Sequence, residues 1–192
     1  MPAGNLDGDL SDAGGMHVFV GSKAPWHTIA DDLPQHETVP SGWPLPMVDR
    51  PAPSALASGV HGSCLCGDVT FKVEGRPARF MLCHCSRCRR SRSAAHGGNA
   101  FYPAAQFTWL SGQGQVRNFK LPEAARFVVA GCTRCGGGAP VVREGVPFVL
   151  IPAGVLDGEP QARPDAHIHV ASGASWYGFR DDIPQFAELP PA

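Results

Sequence analysis

The sequence predicts an all-β fold with few short helical turns. Glycine (23 residues) and proline (19 residues) are abundant and spread along the 192 residues of the chain, and both residue types interrupt long helices. The apolar segments are short, and several alternate apolar and polar residues with the period of two that is typical of strands. All seven cysteines lie in three short clusters, which is the arrangement of metal-ligand knuckles.

Each predicted element follows from the pattern of its own segment. Residues 69–74 alternate apolar and polar side chains, as expected of a strand with one buried face. Residues 79–82 and 148–151 are short and mostly apolar. In chain order, the predicted strands are residues 69–74, 79–82, 106–110, 116–121, 126–130, 148–151 and 167–170. Residues 86–92 are predicted to form a short helical turn.

Composition and charge restrict the class of protein. A hydrophobic content of 43% in 192 residues provides one core but hardly two full domains. A net charge of -1 gives no general attraction to nucleic acid, and no segment approaches the roughly 18 apolar residues of a membrane span. Residues 1–8 show neither the basic nor the apolar region of a secretory signal. We therefore expect a cytoplasmic protein that binds neither nucleic acid nor membranes.

An internal repeat explains the first part of the chain. Shifting the sequence by 150 positions aligns residues 1–40 with residues 151–190 without a gap, with 16 identities. We interpret residues 1–40 as a partial repeat of the end of the domain, residues 41–58 as a proline-rich linker, and residues 59–192 as the complete domain. The partial repeat either docks on an edge of the complete domain, in this chain or in a homo-oligomer, or is a loosely folded remnant.

The cysteine spacing predicts two metal sites of different kinds. Structural zinc takes four ligands in a tetrahedron and prefers thiolates. Two knuckles that are each followed by glycine supply a closed site, whose ligands are Cys64, Cys66, Cys132 and Cys135. The remaining cluster offers three sulfurs, from Cys83, Cys85 and Cys88. A zinc ion there would keep a fourth position open to water or substrate.

These motifs resemble the glutathione-dependent formaldehyde-activating enzyme family. The resemblance rests on Gly-Ser-Cys-Leu-Cys-Gly at 62–67, Cys-His-Cys-Ser-Arg-Cys-Arg-Arg at 83–90, Cys-Thr-Arg-Cys-Gly at 132–136 and Ala-Gly-Val-Leu-Asp at 153–157. It covers about residues 59–190 and the repeated piece at 1–40. The chain departs from the family in having Ser-Arg-Ser at 91–93, where members often place a glycine.

The resemblance implies a fold, two cofactors and a reaction. The implied fold is Mss4-like, with a structural zinc on the four-cysteine site and a second zinc on Cys83, Cys85 and Cys88, where the glutathione thiol binds. The implied enzyme is a carbon–sulfur lyase that promotes formation of S-(hydroxymethyl)glutathione from formaldehyde and glutathione. Thiols add to aldehydes unaided, and membership of a family does not fix the substrate. Another thiol adduct is therefore an alternative substrate.

Several residues near the open cluster are candidates for binding glutathione. Guanidinium groups suit its two carboxylates, and the candidates are Arg87, Arg89 and Arg90. The alternative is that these arginines only offset the negative charge of the thiolates. We expect His84 to lie at the surface or behind the ligands, because adjacent side chains in an extended knuckle point apart. A structural role is expected of His167.

Two other functions remain open at this point. The first is a non-catalytic zinc module that binds a protein or nucleic acid, in which His96 completes the second site as a fourth ligand. The second is a methionine sulfoxide reductase, which requires a free nucleophilic cysteine beyond the zinc ligands. That reading applies only if Cys83, Cys85 and Cys88 bind no metal.

Overall fold

The protein is mostly β-structure, as predicted. The computed structural model describes residues 2–10, 12, 14–44 and 58–191. Within them, nine strands are present: β1 Val60–Ser63, β2 Thr70–Val73, β3 Arg79–Cys83, β4 Gly97–Pro103, β5 Phe107–Ser111, β6 Val116–Lys120, β7 Val128–Cys132, β8 Phe148–Pro152 and β9 Ala166–Ile168. The described α-helix is α1, Ser86–Arg92. Short 3-10 turns are Ala3–Asn5, Val20–Ser22, Ala104–Gln106, Gln113–Gln115, Ala153–Val155 and Val170–Ser172. No helix in these residues is long and apolar enough to cross a membrane.

The strands form three sheets, and two of them enclose the main core. One sheet has the order β1-β2-β5, the second β8-β4-β3-β9, and β6 pairs with β7. All strand pairs are antiparallel except β3 with β9. The main core lies between the first two sheets, and its largest fully buried side chains are Phe71, Phe80, Tyr102 and Ile151. This core fixes β3, and β3 leads directly into the second cysteine cluster.

All seven predicted strands and the predicted helix are present, but β1 and β4 are absent from the prediction. Both contain glycines, which weaken a strand signal. A Cβ atom on Gly62 in β1 would overlap the ring of Phe71, and one on Gly98 in β4 would lie 3.2 Å from the Cβ of Ala153. These glycines therefore allow close packing of β1 on β2 and of β4 on the turn that follows β8.

The repeat found in the sequence has the same local structure in both copies. His17 hydrogen bonds to Asp31 at 2.8 Å, and His167 hydrogen bonds to Asp181 at 2.9 Å. In each copy the residue two positions after this histidine has a left-handed backbone and is followed by a 3-10 turn. The left-handed residues, with φ of 58° and 55°, are Phe19 and His169. The identities therefore correspond to a repeated structural unit.

The first copy contacts the complete domain through side chains and tight backbone packing. Gly4 is buried against the backbone of Ala94, which follows α1. Trp26 lies edge-to-face against Phe80 of β3, with 5.1 Å between ring centroids. Among the described residues, positions 2–44 form no strand ladder with the complete domain. Residues 45–57 of the predicted linker lie outside the described residues.

Candidate functional site

The first cysteine cluster joins two knuckles that are distant in sequence. Cys64 and Cys66 follow β1, Cys132 ends β7, and Cys135 lies in the turn after it. The four Sγ atoms all lie within 4.8 Å of one another, and Cys66 is 3.5 Å from Cys64 and 4.0 Å from Cys132. Zinc with Zn–S bonds of about 2.3 Å places tetrahedral sulfurs about 3.8 Å apart. The sulfur positions therefore fit a zinc ion.

Backbone amides and thiol pKa values also fit a cation at this cluster. The amide of Val69 donates to Cys64 Sγ and the amide of Gly137 to Cys135 Sγ, both at 3.4 Å. Burial opposes ionisation of Cys135, but the Gly137 amide and neighbouring groups lower its pKa to about 6. The Asp68 amide favours the Cys66 thiolate, yet desolvation and neighbouring thiols raise its pKa to about 12. A bound cation would stabilise all four sulfurs as thiolates.

The second cluster lies where β3 ends and α1 begins. Cys83 is the last residue of β3, Cys85 is the N-cap of α1, and Cys88 is in its first turn. The amide of Cys88 donates to Cys85 Sγ at 3.4 Å, and the Asn99 side chain lies 3.9 Å from Cys88 Sγ. The neighbouring thiols Cys83 and Cys88 hydrogen bond to Cys85 and lower its pKa. Those contacts favour ionisation of Cys85 alone. A bound cation would be needed to keep all three sulfurs of the cluster ionised.

No histidine, aspartate or glutamate of the described chain joins either group of cysteine sulfurs. His96 is therefore not a fourth ligand of the second cluster in this arrangement. The two groups contain four and three cysteines, which account for all seven in the sequence. No cysteine remains outside the clusters as a separate nucleophile.

The three predicted arginines of α1 have different surroundings. Arg87 lies over the ring of Phe127, with 5.6 Å from its guanidinium carbon to the ring centroid. Arg89 is 9% exposed, and its Nε has no hydrogen-bond partner among the described residues. Arg90 is exposed and forms an ion pair with Asp7 of the first copy. Of the three, Arg90 thus has a carboxylate partner in the fold.

Arg92 and Asn99 both lie beside Cys88. A Cβ atom on Gly97 would meet the Cβ of Cys88 at 3.2 Å, Arg92 Cγ at 3.5 Å and Asn99 Nδ2 at 3.7 Å. Arg92 also borders a cavity of about 500 Å³, lined in part by Ser91, Ser93, His96 and Gly98. No sequence pattern marks Asn99, because its proximity to Cys88 depends on the pairing of β3 with β4.

His84 lies in the interior, not at the surface. Its side chain is fully buried, and its Nε2 lies 2.8 Å from Nδ1 of His167. His167 Nε2 in turn lies 2.9 Å from Asp181, so His167 has the predicted structural role. Because Asp181 accepts a hydrogen bond from His167 Nε2, His167 Nδ1 accepts one from His84 Nε2. The chain Asp181–His167–His84 thus holds the segment between Cys83 and Cys85.

His96 should make the protein more sensitive to acid. Burial lowers its pKa to about 4 from 6.5, so between these pH values the unfolded chain binds a proton that the folded chain does not. Stability therefore falls as the pH drops from 6.5 towards 4. Between pH 6.5 and pH 4, the free energy of unfolding should fall by up to about 3 kcal/mol less in His96→Gln than in the unmodified protein. Denaturant unfolding at neutral and acidic pH measures the difference, and identical pH slopes in both proteins would contradict it.

Residues 59–172 match the family model described as "Glutathione-dependent formaldehyde-activating enzyme". The match includes both cysteine clusters and α1. Among solved structures, the chain is similar to the crystal structure of a Rhodobacter sphaeroides protein, at 23% identity and a TM-score of 0.39. That alignment covers 54% of this chain and 97% of the other. No curated protein matches the chain at a significant level.

Proposed function

Because the chain belongs to the glutathione-dependent formaldehyde-activating enzyme family, we propose that it promotes formation of S-(hydroxymethyl)glutathione from formaldehyde and glutathione. A related carbon–sulfur lyase reaction on another thiol adduct would use the same site. The observation that carries the proposal is the group of three cysteine sulfurs, with no fourth protein ligand among the described residues. A three-ligand site of this kind leaves one coordination position for a substrate thiol.

We assign a structural zinc to Cys64, Cys66, Cys132 and Cys135, and a second zinc to the catalytic cluster Cys83, Cys85 and Cys88. Bound at the second cluster, zinc would supply a Lewis acid that lowers the pKa of the glutathione thiol. The thiolate sulfur attacks the carbonyl carbon of formaldehyde, a C–S bond forms, and the carbonyl oxygen takes up a proton from water. The Asn99 amide lies 3.9 Å from Cys88 Sγ and helps to orient this ligand.

The positive charge of α1 would bind the glutathione carboxylates. Arg87, Arg89 and Arg90 follow the cluster directly, and guanidinium groups bind carboxylates through paired hydrogen bonds. Arg90 already contacts the carboxylate of Asp7, so its position suits an anionic ligand. Arg92 lies beside Cys88 and borders the cavity of about 500 Å³, and we add it to the binding residues.

Asp7→Asn should strengthen glutathione binding if Arg90 takes a substrate carboxylate. The substitution removes the charge that competes for the guanidinium group, and an exposed pair of this kind contributes up to about 1 kcal/mol. We expect an increase in affinity of up to about fivefold, measured by calorimetry with zinc-loaded protein. Asp12→Asn, elsewhere in the first copy, is the matched control. Weaker binding by Asp7→Asn would show that Asp7 supports the site.

Zinc content and reaction rate together test the proposed function. Anaerobically purified protein should contain about two zinc ions per chain, and glutathione should perturb the more weakly held ion. Exchange spectroscopy by NMR then compares formation of S-(hydroxymethyl)glutathione with and without the protein. A rate equal to the spontaneous rate, with two zinc ions bound, would contradict catalysis and favour a thiol-binding or structural module.

The remaining parts of the proposal concern setting and architecture. Thiolate ligands and a glutathione substrate suit the reducing cytoplasm, which keeps thiols reduced. We also propose that the sheets follow the Mss4-like arrangement that the family resemblance implies. The net charge of -1 gives no general attraction to nucleic acid, so we propose small-molecule partners instead.

A further inference from the structure

Two equivalent loops from the two repeat copies face each other. The first loop is residues 26–32, and the second loop is residues 176–182, at the same positions after the shift of 150. Together they line one small cavity of about 80 Å³. The second-loop residues that line it are Tyr177, Gly178, Arg180 and Asp181. Their first-copy equivalents His27, Thr28, Ala30 and Asp31 line the same cavity.

The two loops line this cavity reciprocally. His27 and Asp31 of the first loop border it, and so do their equivalents Tyr177 and Asp181 of the second loop. Equivalent residues of two copies that meet across one cavity are the arrangement of an isologous, two-fold interface. The two loops therefore have the arrangement expected around an approximate two-fold axis. Such an axis normally relates two identical subunits.

A tryptophan anchors the first loop on the complete domain. Trp26 packs edge-to-face on Phe80, at 5.1 Å between centroids, and a Cβ on Gly98 would lie 3.4 Å from its ring. Phe80 and Gly98 thus form a receiving site for a tryptophan from a loop of this type. Trp176 is the equivalent of Trp26, yet it makes no ring-to-ring contact among the described residues. The first copy has no counterpart of β3 and β4 that could receive it.

We propose that the complete domain carries a self-complementary surface for a second copy of itself, and that residues 2–40 occupy this surface within the chain. The surface consists of the second loop and the receiving site formed by Phe80 and Gly98. In the dimer, Trp176 of each subunit fills the receiving site of the other, where Trp26 lies in this chain. The docked first copy therefore keeps the full chain monomeric, a role beyond the proposed reaction.

Charge complementarity supports the second copy as the occupant. Arg180 of the second loop lies 3.9 Å from Asp32 of the first loop. The equivalent of Asp32 is Asp182, so a second copy offers the same carboxylate to Arg180. The reverse contact is absent within the chain because Ala30 stands at the position equivalent to Arg180. A dimer of complete domains would form this ion pair twice, between Arg180 and Asp182 of the partner subunit.

The test uses the full chain with substitutions that release residues 2–40 from the complete domain. A side chain at Gly4 would overlap the backbone of Ala94, and Trp26→Ala removes the anchor, so the double variant Gly4→Val/Trp26→Ala should undock residues 2–40. Sedimentation velocity over a roughly hundredfold concentration range should show a monomer for the unmodified chain. The double variant should show a monomer–dimer equilibrium, with a species of about twice the monomer mass.

Further variants test whether the dimer uses the proposed surface. Adding Trp176→Ala to the double variant should restore the monomer. Adding Arg180→Asp should also prevent dimerisation, and Arg180→Asp with Asp182→Arg should restore it, because the ion pairs re-form with reversed charges. Undocking should expose residues 16–40 to protease, so limited proteolysis of each variant measures whether the first copy is released.

Three outcomes would overturn the proposal. An undocked double variant that stays monomeric shows that no self-complementary surface exists. A dimer that persists with Trp176→Ala shows that the association uses another surface. Continued protection of residues 16–40 from protease shows that Gly4 and Trp26 do not hold the first copy in place. Zinc content and reaction rate are measured on the same variants, so a failure of the proposed function is detected separately.

Discussion

Cys132→Ala is expected to abolish folding of the complete domain. Cys132 ends β7 and is 3% exposed, and its Sγ belongs to the four-sulfur group that joins the turn after β1 to the turn after β7. Structural zinc in small domains contributes on the order of 10 kcal/mol or more, which is comparable to the whole stability of about 5–15 kcal/mol of a typical domain. Loss of one ligand should therefore leave too little stability for a folded state.

The measurements are far-UV circular dichroism, thermal unfolding and zinc content of the purified variant. Leu65→Ala is the matched control, because Leu65 lies between two ligands but is 69% exposed, and it should retain the unfolding transition and both zinc ions. Excess chelator should unfold the unmodified protein in the same way as Cys132→Ala. A cooperative transition of Cys132→Ala at the temperature of the unmodified protein would contradict a structural role for the first cluster.

Cys85→Ala is expected to abolish the glutathione-dependent reaction and to leave the fold largely intact. Cys85 is the central ligand of the second cluster and the N-cap of α1, where its Sγ accepts the amide of Cys88 at 3.4 Å. The lost cap costs about 1 kcal/mol, far less than loss of the structural site. Zinc content should fall from about two ions to about one per chain, and product formation should fall to the spontaneous rate.

Ser86→Ala is the control for this variant, since Ser86 is adjacent to Cys85 but is not part of the sulfur group. It should retain both zinc ions and the reaction rate. The comparison of Cys85→Ala with Cys132→Ala tests the division into a catalytic and a structural site. If both variants unfold to the same extent, that division is wrong. A reaction rate that survives loss of the second zinc would place the chemistry elsewhere.

The sequence alone predicted the parts of this protein that depend on local chemistry. Cysteine spacing identified both sulfur groups, because zinc-binding cysteines within one knuckle lie two or three residues apart. Alternation of apolar and polar residues, together with short apolar segments, located seven of the nine described strands, and the identities between residues 1–40 and 151–190 revealed the repeat. Each of these features can be recognised from a few neighbouring residues or by aligning two segments of the sequence.

The tertiary structure decided what depends on contacts between distant segments. Strand β4 contains Gly98, whose role appears only against Ala153 and Trp26. His84 is buried because its side chain, which points away from Cys83 and Cys85, faces His167. The alternation of side chains in an extended segment predicts that His84 points away from the cysteines, but it does not predict whether that side meets solvent. The docking of Trp26 on Phe80 likewise depends on three-dimensional packing, since residue spacing within either segment does not encode which surfaces meet.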